Sequence, residues 1–533
     1  MTTTISDEEG RLRFEQLCEA CRAGDIEQVD SIVSFGVDVN VTDAFDYSPL
    51  ILASLCGHET VVRYLLDHGA VCDRDTFQGE RCLYGALTDS IRNLLLKFDI
   101  SKAVDAVQPF SAHISSLLSR QEPITADIMF TPPNLGRLSF SLHRFILAAR
   151  SNFFREALAR RWPTKNTVRL TAAADPQVFE VLVRHLYSAD VIAAAQVAQT
   201  AGLMTKTIQA ARKLDLVDLV TTLEEMSDKE AIRQRRLNRQ ENMRKAQADF
   251  EAYVTTDVIG KKIVVPQEYY NKNTSETKRF WKAPIDTTAD VFLAVEDDAD
   301  QSSNIILYPA HRAMLIRAEY FQTMFTSSFA EATVHTRGTP DASGHFEFPI
   351  VPLSTSNAVA EIILMFLYAD RVDISSSIAL DVLYVADLLF LDKLKSLAAI
   401  ALTNAQYSVE DDAIIFDILH AGWATRMDRL ERFAAKYFAD NLAHFIANPD
   451  FSDVVVESAK RISVRDETDT IELIDDIRFY LAQKYGILFE DDMDPVSGKI
   501  QEGPFRKITL YERQFNEQLD LIDGLLESLN LDA

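Results

Sequence analysis

Residues 21–43 and 54–76 repeat one another at a spacing of 33, which aligns Gly24 with Gly57, Val29 with Val62 and Gly36 with Gly69. A third, shortened unit follows, in which "IRNLLL" stands in place of "VVRYLL" at a spacing of 30. A unit of this length is one pair of helices, and such a pair buries its apolar face only by stacking on a neighbour. The front of the chain is therefore an open stack with turn tips and a concave side, and it encloses no pocket. The rest must fold separately, because 533 residues exceed one core at roughly 150 residues per domain.

"DYSPLILASLCGH" resembles the ankyrin signature T-P-L-H-x-A. Ser48-Pro49-Leu50 opens the first helix of a unit, Ala53 is small where two helices meet, and a glycine stops "TVVRYLLDHGA". The resemblance predicts an ankyrin arm over residues 11–105 that binds a client protein or braces the next domain. Client contacts are expected on the turns and concave face near Asp43, Phe45, Asp46, Tyr47, Phe77 and Gln78, with Phe45 and Tyr47 as aromatic anchors. Cys18 and Cys21 form a C-x-x-C pair without a second pair at zinc spacing, so they read as structural. Cys56, Cys72 and Cys82 fall at repeat positions that otherwise take small buried side chains. His58 follows Gly57 at the interhelical turn, where an imidazole can bond turn backbone.

A second, more distant repetition occupies the middle of the chain. Asp127 corresponds to Asp290, His143 to His311, Phe154 to Phe321 and Tyr187 to Tyr368. Each copy begins β-rich, continues in an amphipathic helix opened by His-Arg, returns through a strand, and ends in a helix closing on the tyrosine and an Ala-Asp pair. Alternation of period 2 at "DVFLAV" gives way to period 3.6 at Met314, Ile316, Tyr320 and Phe321. These residues resemble the BTB/POZ domain in its D-[IV]-x-[FL] opening, its A-H-[RK]-x-x-[LI] core and its tyrosine-bearing close. The order of modules over residues 10–450 is similar to the ankyrin-repeat and BTB/POZ domain-containing protein family.

That resemblance implies a multidomain, mainly α chain with α/β BTB domains. The expected divisions are a first BTB/POZ domain at 106–220, a polar helical connector at 221–284 and a second BTB/POZ domain at 285–403. BACK-like helices at 404–450 and a C-terminal helical extension at 451–533 follow. It also implies a noncatalytic substrate-recognition adaptor for a cullin-3 RING ubiquitin ligase, with a client held by ankyrin or C-terminal surfaces. In "YFQTMFTSSFAEAT" the family's cullin element is matched by Met324, Phe325, Phe329 and Glu331. The first copy instead has Leu158 followed by Arg160, a cation in place of the glutamate acceptor, so cullin contact is expected of the second copy. The alternative is a ligase-independent scaffold or chaperone-like module, which the resemblance links to translation elongation factor 1-alpha.

No catalytic, metal-binding or cofactor-binding constellation is legible. His143 and His311 each begin a helix with an apolar face, and neither has a nucleophile or acid at a consistent position. Their ring nitrogens are expected to be matched by backbone carbonyl or by Asp127 and Asp290. The segment from Glu224 to Tyr253 is polar nearly all round, and Arg233, Arg235, Arg236, Arg239, Arg244 and Lys245 make it basic. It reads as a solvated helix laced by intrahelical ion pairs, or as a docking stripe for an acidic surface.

Behind the second copy, Leu380, Leu383, Tyr384, Asp387 and Leu388 share one broad face, and Phe433, Tyr437, Phe438, Leu442 and Phe445 repeat the device. Ile508, Tyr511, Phe515, Leu519, Ile522, Leu526 and Leu529 trace a further stripe that must pack on this chain or another. Lys plus Arg total 54 against 80 Asp plus Glu, a net charge of -26 that disfavours nucleic acid and anionic membranes. Five cysteines in so long a chain suit a reducing, cytoplasmic setting with the nucleus accessible. No apolar run reaches the roughly 18 to 20 residues of a membrane span. The two BTB copies are expected to pair within one chain, giving a monomer, although only "ISSLLSR" stands as a helical lead-in before Thr125.

Overall fold

The computed structural model describes residues 7–34, 37, 39–43, 45–67, 70, 77–102, 110–131, 139–170, 175–189, 191, 194–195, 202–225, 243–272, 287–297, 304–327, 348–408, 412–463, 471–487, 499–500 and 508–531. The chain divides into two compact units, Met1–Asp373 with Leu388–Leu394, and Ile374–Asp387 with Lys395–Ala533.

The first unit opens with paired helices: α1 (Asp7–Ala23) and α2 (Ile26–Ser34), α3 (Pro49–Leu55) and α4 (Glu59–Asp67), α5 (Phe77–Tyr84) and α6 (Asp89–Lys102). Ser48 caps α3 by accepting from Ile51 N–H, and Pro49 fills the first turn, where its missing N–H costs nothing. Leu17, Cys21, Val29, Ala53, Val62 and Leu65 form part of one continuous core. The turns of successive pairs interlock. His58 Nε2 lies 2.9 Å from the carbonyl of Arg22, and Gly24, at φ +75°, leaves room for that ring, which a Cβ would meet at 2.4 Å. Ser54 Oγ donates to Cys82 O at 3.0 Å in the next pair. Burial pushes the Cys18 thiol to about 11 and Cys21 to about 12, so both stay protonated and inert. Cys82 is buried as expected, Cys56 is exposed because it lies past the end of α3 as its cap, and Cys72 lies outside the described residues.

Helix α7 (Phe110–Ser116) leads into the first copy. Its sheet has the order β2-β1-β3, with β1 (Ile128–Thr131) antiparallel to β2 (Phe140–Leu142) and parallel to β3 (Thr167–Arg169). Phe130 on β1 meets Phe154, Trp162 and Phe179 at ring distances of 6.1, 5.7 and 5.4 Å. Helix α8 (Arg144–Arg150) precedes α9 (Asn152–Arg160), which carries Phe154; Trp162 lies in the turn after α9, and Phe179 belongs to α10 (Pro176–Leu186). Helices α11 (Met204–Lys213) and α12 (Val217–Glu225) follow.

The second copy repeats the plan with one addition. Helix α13 (243–253) runs into a π-helical turn, Val254–Ile259, then β4 (Ile263–Pro266) and α14 (Gln267–Lys272). Strands β5 (Val291–Glu296), β6 (Asn304–Ala310) and β7 (Ile350–Ser356) repeat the hairpin and parallel third strand, and β4 joins the outer edge of β6, giving β4-β6-β5-β7. Helices α15 (Arg312–Leu315), α16 (Glu319–Thr326) and α17 (Asn357–Ala369) complete the pattern, with Ser356 capping α17 through Val359 N–H.

Residues 243–266 are thus built into the second copy, whereas the polar composition predicts a solvated connector. Phe250 and Tyr253 are buried, and besides one pair within the stretch, Lys261 to Asp257 at 2.7 Å, its ion pairs reach other elements, as in Lys245 to Asp218 at 2.8 Å and Asp249 to Arg150. The copies meet within the chain by exchanging lead-ins. From α7, His113 Nε2 bonds Ala313 O of the second copy at 2.8 Å. From α13, Phe250 and Tyr253 approach Phe145 of the first copy at 6.3 and 6.4 Å. Phe110 and Phe250 touch edge to face at 5.6 Å.

Helices α18 (Ser376–Leu388) and α19 (Asp392–Asn404) follow α17. In α18 the buried positions are Ala379, Val382, Leu383, Val385 and Ala386. The expected face is therefore rotated: Leu383 is buried, but Tyr384 and Leu388 are exposed. The second unit continues in α20 (Asp412–Thr425), α21 (Asp428–Asp440), α22 (Leu442–Phe445), α23 (Pro449–Ser463), α24 (Glu472–Tyr485) and α25 (Leu510–Leu529). Phe438 is central here, with Phe416, Phe445 and Phe451 at 5.5, 4.8 and 5.1 Å. Thr509 and Glu512 form a reciprocal capping box at the start of α25. The stripe of α25 packs on α22, α23 and α24 of the same unit, burying Phe515, Leu519, Ile522 and Leu526 but leaving Tyr511 exposed.

Candidate protein-interaction surfaces

The repeated histidines sit in matching polar clusters. His143 is the residue before α8; its N–H donates to Tyr187 Oη at 2.7 Å, its Nδ1 lies 3.0 Å from the same oxygen, and its Nε2 lies 2.9 Å from Thr125 Oγ1. In the second copy His311 N–H donates to Tyr368 Oη at 3.0 Å, Nδ1 lies 2.6 Å away, and Nε2 is 3.2 Å from Thr288 Oγ1. Tyrosine and threonine, and not the aspartates, satisfy the imidazoles. Asp127 and Asp290 instead accept the backbone N–H of Arg144 and Arg312, each at 2.8 Å. Their side chains also face those guanidinium groups, with Nε to carboxylate distances of 3.7 and 3.2 Å. Burial pushes His143 down to about 3 and raises the Tyr187 and Tyr368 phenols well above their ordinary range. A histidine so weakly basic, sealed beside a buried threonine, is poorly matched to general-base work near neutrality. These clusters lock strand to helix.

The cullin candidates divide by burial. Met324, near the end of α16, is half-buried. Phe325 is only 3% exposed and stacks on Phe321 at 6.4 Å, so it shapes the surface from beneath. Phe329 and Glu331 lie outside the described residues. At the matching end of α9, Leu158 is buried and Arg160 is exposed. Later in the chain, Leu388 and Phe390 of the first unit are exposed, and Phe390 adopts φ +57°; Tyr384 is exposed in the second unit.

On the arm, Asp43 organises the tip that carries the client candidates. Its Oδ1 accepts Phe45 N–H and Tyr47 N–H, both at 2.9 Å, while Oδ2 pairs with Arg22 at 3.2 Å. Asp46 is held at φ +61° within this turn. Phe45 is consequently 76% exposed, whereas Tyr47 packs on the arm's core and carries Arg81 over its ring at 4.1 Å. Asp43 and Tyr47 therefore support the tip, and Phe45 projects from it. Phe77 and Gln78 begin α5. A patch with no signal in the repeat pattern lies at the other turns, where Leu55, Tyr84 and Leu87 are exposed. It could have been found by asking which turn positions carry large apolar residues where polar ones would suffice.

Of the basic residues noted above, Arg244 is exposed and Lys245 is paired, while Arg233, Arg235, Arg236 and Arg239 lie outside the described residues. Among the described residues no group of three or more His, Cys, Asp or Glu side chains is placed to hold a metal ion. Nor is any described helix long and apolar enough to cross a membrane.

Comparison with known proteins fits this geometry. The model of the ankyrin-repeat family matches residues 17–104 in three copies. The model of the BTB/POZ domain matches residues 118–231 and 285–406. BTB/POZ domain-containing protein 3 of Schizosaccharomyces pombe is 39% identical over 540 residues, covering 99% of this chain and 91% of the relative. Ankyrin repeat-containing protein YIL001W of Saccharomyces cerevisiae is 37% identical over 528 residues, covering 98% of each.

Proposed function

Because the chain belongs to the family in which an ankyrin-repeat array precedes two BTB/POZ domains, we propose that it is a noncatalytic substrate-recognition adaptor of a cullin-3 RING ubiquitin ligase. The observation that carries this reading is the joining of two kinds of protein-binding module in one chain. The second BTB/POZ copy receives the cullin through Met324, Phe329 and Glu331, with Phe325 holding the apolar floor. The charge at Arg160 keeps the first copy out of that role. An anchoring ring beside a charged rim is how a helix-in-groove contact acquires register.

Helices α20 to α22 act as a BACK-like extension, and the client is held by the arm, led by Phe45, or by the C-terminal helices. The adaptor works in the cytoplasm and as a monomer, the second reading supported by the contact of its two BTB/POZ copies through Phe145 and His311. Titration with an N-terminal fragment of cullin-3 tests the reading. Binding by the folded chain that weakens at least about tenfold in the F329A/E331A double variant, a loss of 1.4 kcal/mol or more, supports it; absence of binding overturns it. A client complex whose level is indifferent to cullin loss would instead favour a ligase-independent scaffold, with translation elongation factor 1-alpha as the first client to assay.

A further inference from the structure

The two BTB/POZ copies differ at one groove, the angle between the lead-in, the second strand and the helix that closes the fold. In the second copy the chain fills it. The π-helical turn Val254–Ile259 packs on β6 and α17, burying Val254 and Val258. At the mouth, Lys262 donates to Glu361 Oε1 at 2.7 Å, Tyr308 Oη donates to the same oxygen at 2.9 Å, and β4 then runs along β6.

In the first copy the same angle is open. Helix α7 carries Phe110 and His113 toward the second copy. Between α7, β2 and α10 a cavity of 680 Å³ remains, lined by Ser115, Ser141, Glu180, Arg184 and Ser188 among others. Among the described residues β2 pairs only with β1. Glu180 occupies the sequence position of Glu361, but Phe140 stands where Tyr308 supplied a hydroxyl, and among the described residues no lysine pairs with it. Its ion pair is with Arg184, one turn along the same helix at 3.0 Å, and both side chains are well exposed. A pair of that kind is worth only about 0.3–0.5 kcal/mol and yields easily to a better donor.

A further feature is peculiar to the open groove. Tyr368 is followed directly by Ala369-Asp370, whereas Tyr187 is followed by Ser188 and only then by Ala189-Asp190. The extra serine adopts φ +52°, and its Oγ is buried at the groove without a hydrogen-bond partner. An unmade hydrogen bond of this kind costs about 1–3 kcal/mol, and the residue that carries it is one of those lining the cavity.

We propose that this groove of the first BTB/POZ copy binds an extended peptide segment of a partner protein that carries a lysine, seated against Glu180 as the second copy seats its own Lys262 against Glu361. Glu180 receives the ammonium, and Ser115 of α7 and Ser141 of β2, which line the cavity, bond the peptide backbone. The complementarity is electrostatic as well as steric, since a basic segment meets an exposed carboxylate on a chain of net charge -26. The site is distinct from the cullin region and does not depend on it.

The test uses the full chain and a labelled synthetic peptide with the sequence of residues 260–267, Gly-Lys-Lys-Ile-Val-Val-Pro-Gln, followed by fluorescence anisotropy. Saturable binding should fall at least about tenfold, 1.4 kcal/mol, with Glu180→Lys, and likewise with Ser141→Trp, which blocks the groove from an exposed strand position without touching the core. It should be unchanged by Glu361→Gln. Binding that responds to Glu361→Gln and not to Glu180→Lys would mean that the peptide displaces β4 from the second copy, and this overturns the proposal. Binding indifferent to all three variants, or no saturation by about 1 mM peptide, near 4 kcal/mol, overturns it too.

Discussion

Phe145 of the first BTB/POZ copy and His311 of the second stack with ring centroids 4.3 Å apart and planes inclined by 30°. The imidazole that is fixed by Tyr368 and Thr288 inside its own copy thus also serves as a wall for the other copy. Replacing Phe145 by Ala removes a buried ring from this junction and is expected to cost about 3–5 kcal/mol. Urea denaturation should show the loss as a lower midpoint, with the transition of the first copy separating from that of the second.

Acid should weaken the fold in a defined window. Burial holds His113, His143 and His185 each near 3, while unfolded histidine titrates near 6.5. The folded forms are depressed, so their contribution is complete above about pH 6.5 and is lost as pH falls toward 3, because only the unfolded chain takes up the protons. Each such histidine adds a slope approaching about 1.4 kcal/mol per pH unit in that window. The variant His143→Gln should therefore show a shallower decline of stability between pH 6 and 4 than the parent chain, whatever its stability at pH 7.

Two glycines in the left-handed region, one in the arm and one just before α11, offer a comparison. Gly24 lies at φ +75° with a Cβ position 2.4 Å from His58 Nδ1, and Gly202 lies at φ +70° with nothing within 4 Å. Alanine at either position pays the backbone strain of about 1 kcal/mol. Only Gly24→Ala should also displace His58 from the Arg22 carbonyl. Hydrogen exchange should rise throughout α1 to α4 for that variant, and only locally for Gly202→Ala.

Phe390 presents the opposite case, a bulky residue at φ +57° that is 63% exposed. Asparagine tolerates this conformation better, so Phe390→Asn should stabilise the isolated chain by about 0.5–1 kcal/mol. A thermal melt checks it. If the exposed ring belongs to the cullin face, the same variant will bind the cullin-3 fragment less tightly while melting higher.

Gly24 and Gly57 were readable because each meets a local demand, left-handed backbone against a neighbouring turn, at φ +75° and +81°, which leaves the same mark in both units. The paired His, Arg and Tyr positions were readable for the same reason, since both copies solve one packing problem with one set of residues. Phe250 and Tyr253 were not, because "RKAQADFEAY" gives two aromatics a polar setting and their partner Phe145 lies far away in the chain. The rotation of α18 was hidden by near-equivalent stripes: 379, 382, 383 and 386 compete with 380, 384 and 388 at one helical period. Burial of Phe325 beneath the surface it was expected to form shows the limit of motif spacing, which gives the order of side chains but not their depth.

The exchange of lead-ins between α7 and α13 has a consequence for inheritance. In a homodimer every substitution appears twice, so a change that improves one subunit's contact with a partner is imposed on the other. Here the two halves are encoded separately yet held together by a covalent tether, which gives a heterodimer that dilution does not separate. Each half is free to drift toward its own ligand while the shared junction at Phe145 and His311 keeps both folded. Arg160 and Ser188 are traces of that freedom in the first half, and β4 is its trace in the second.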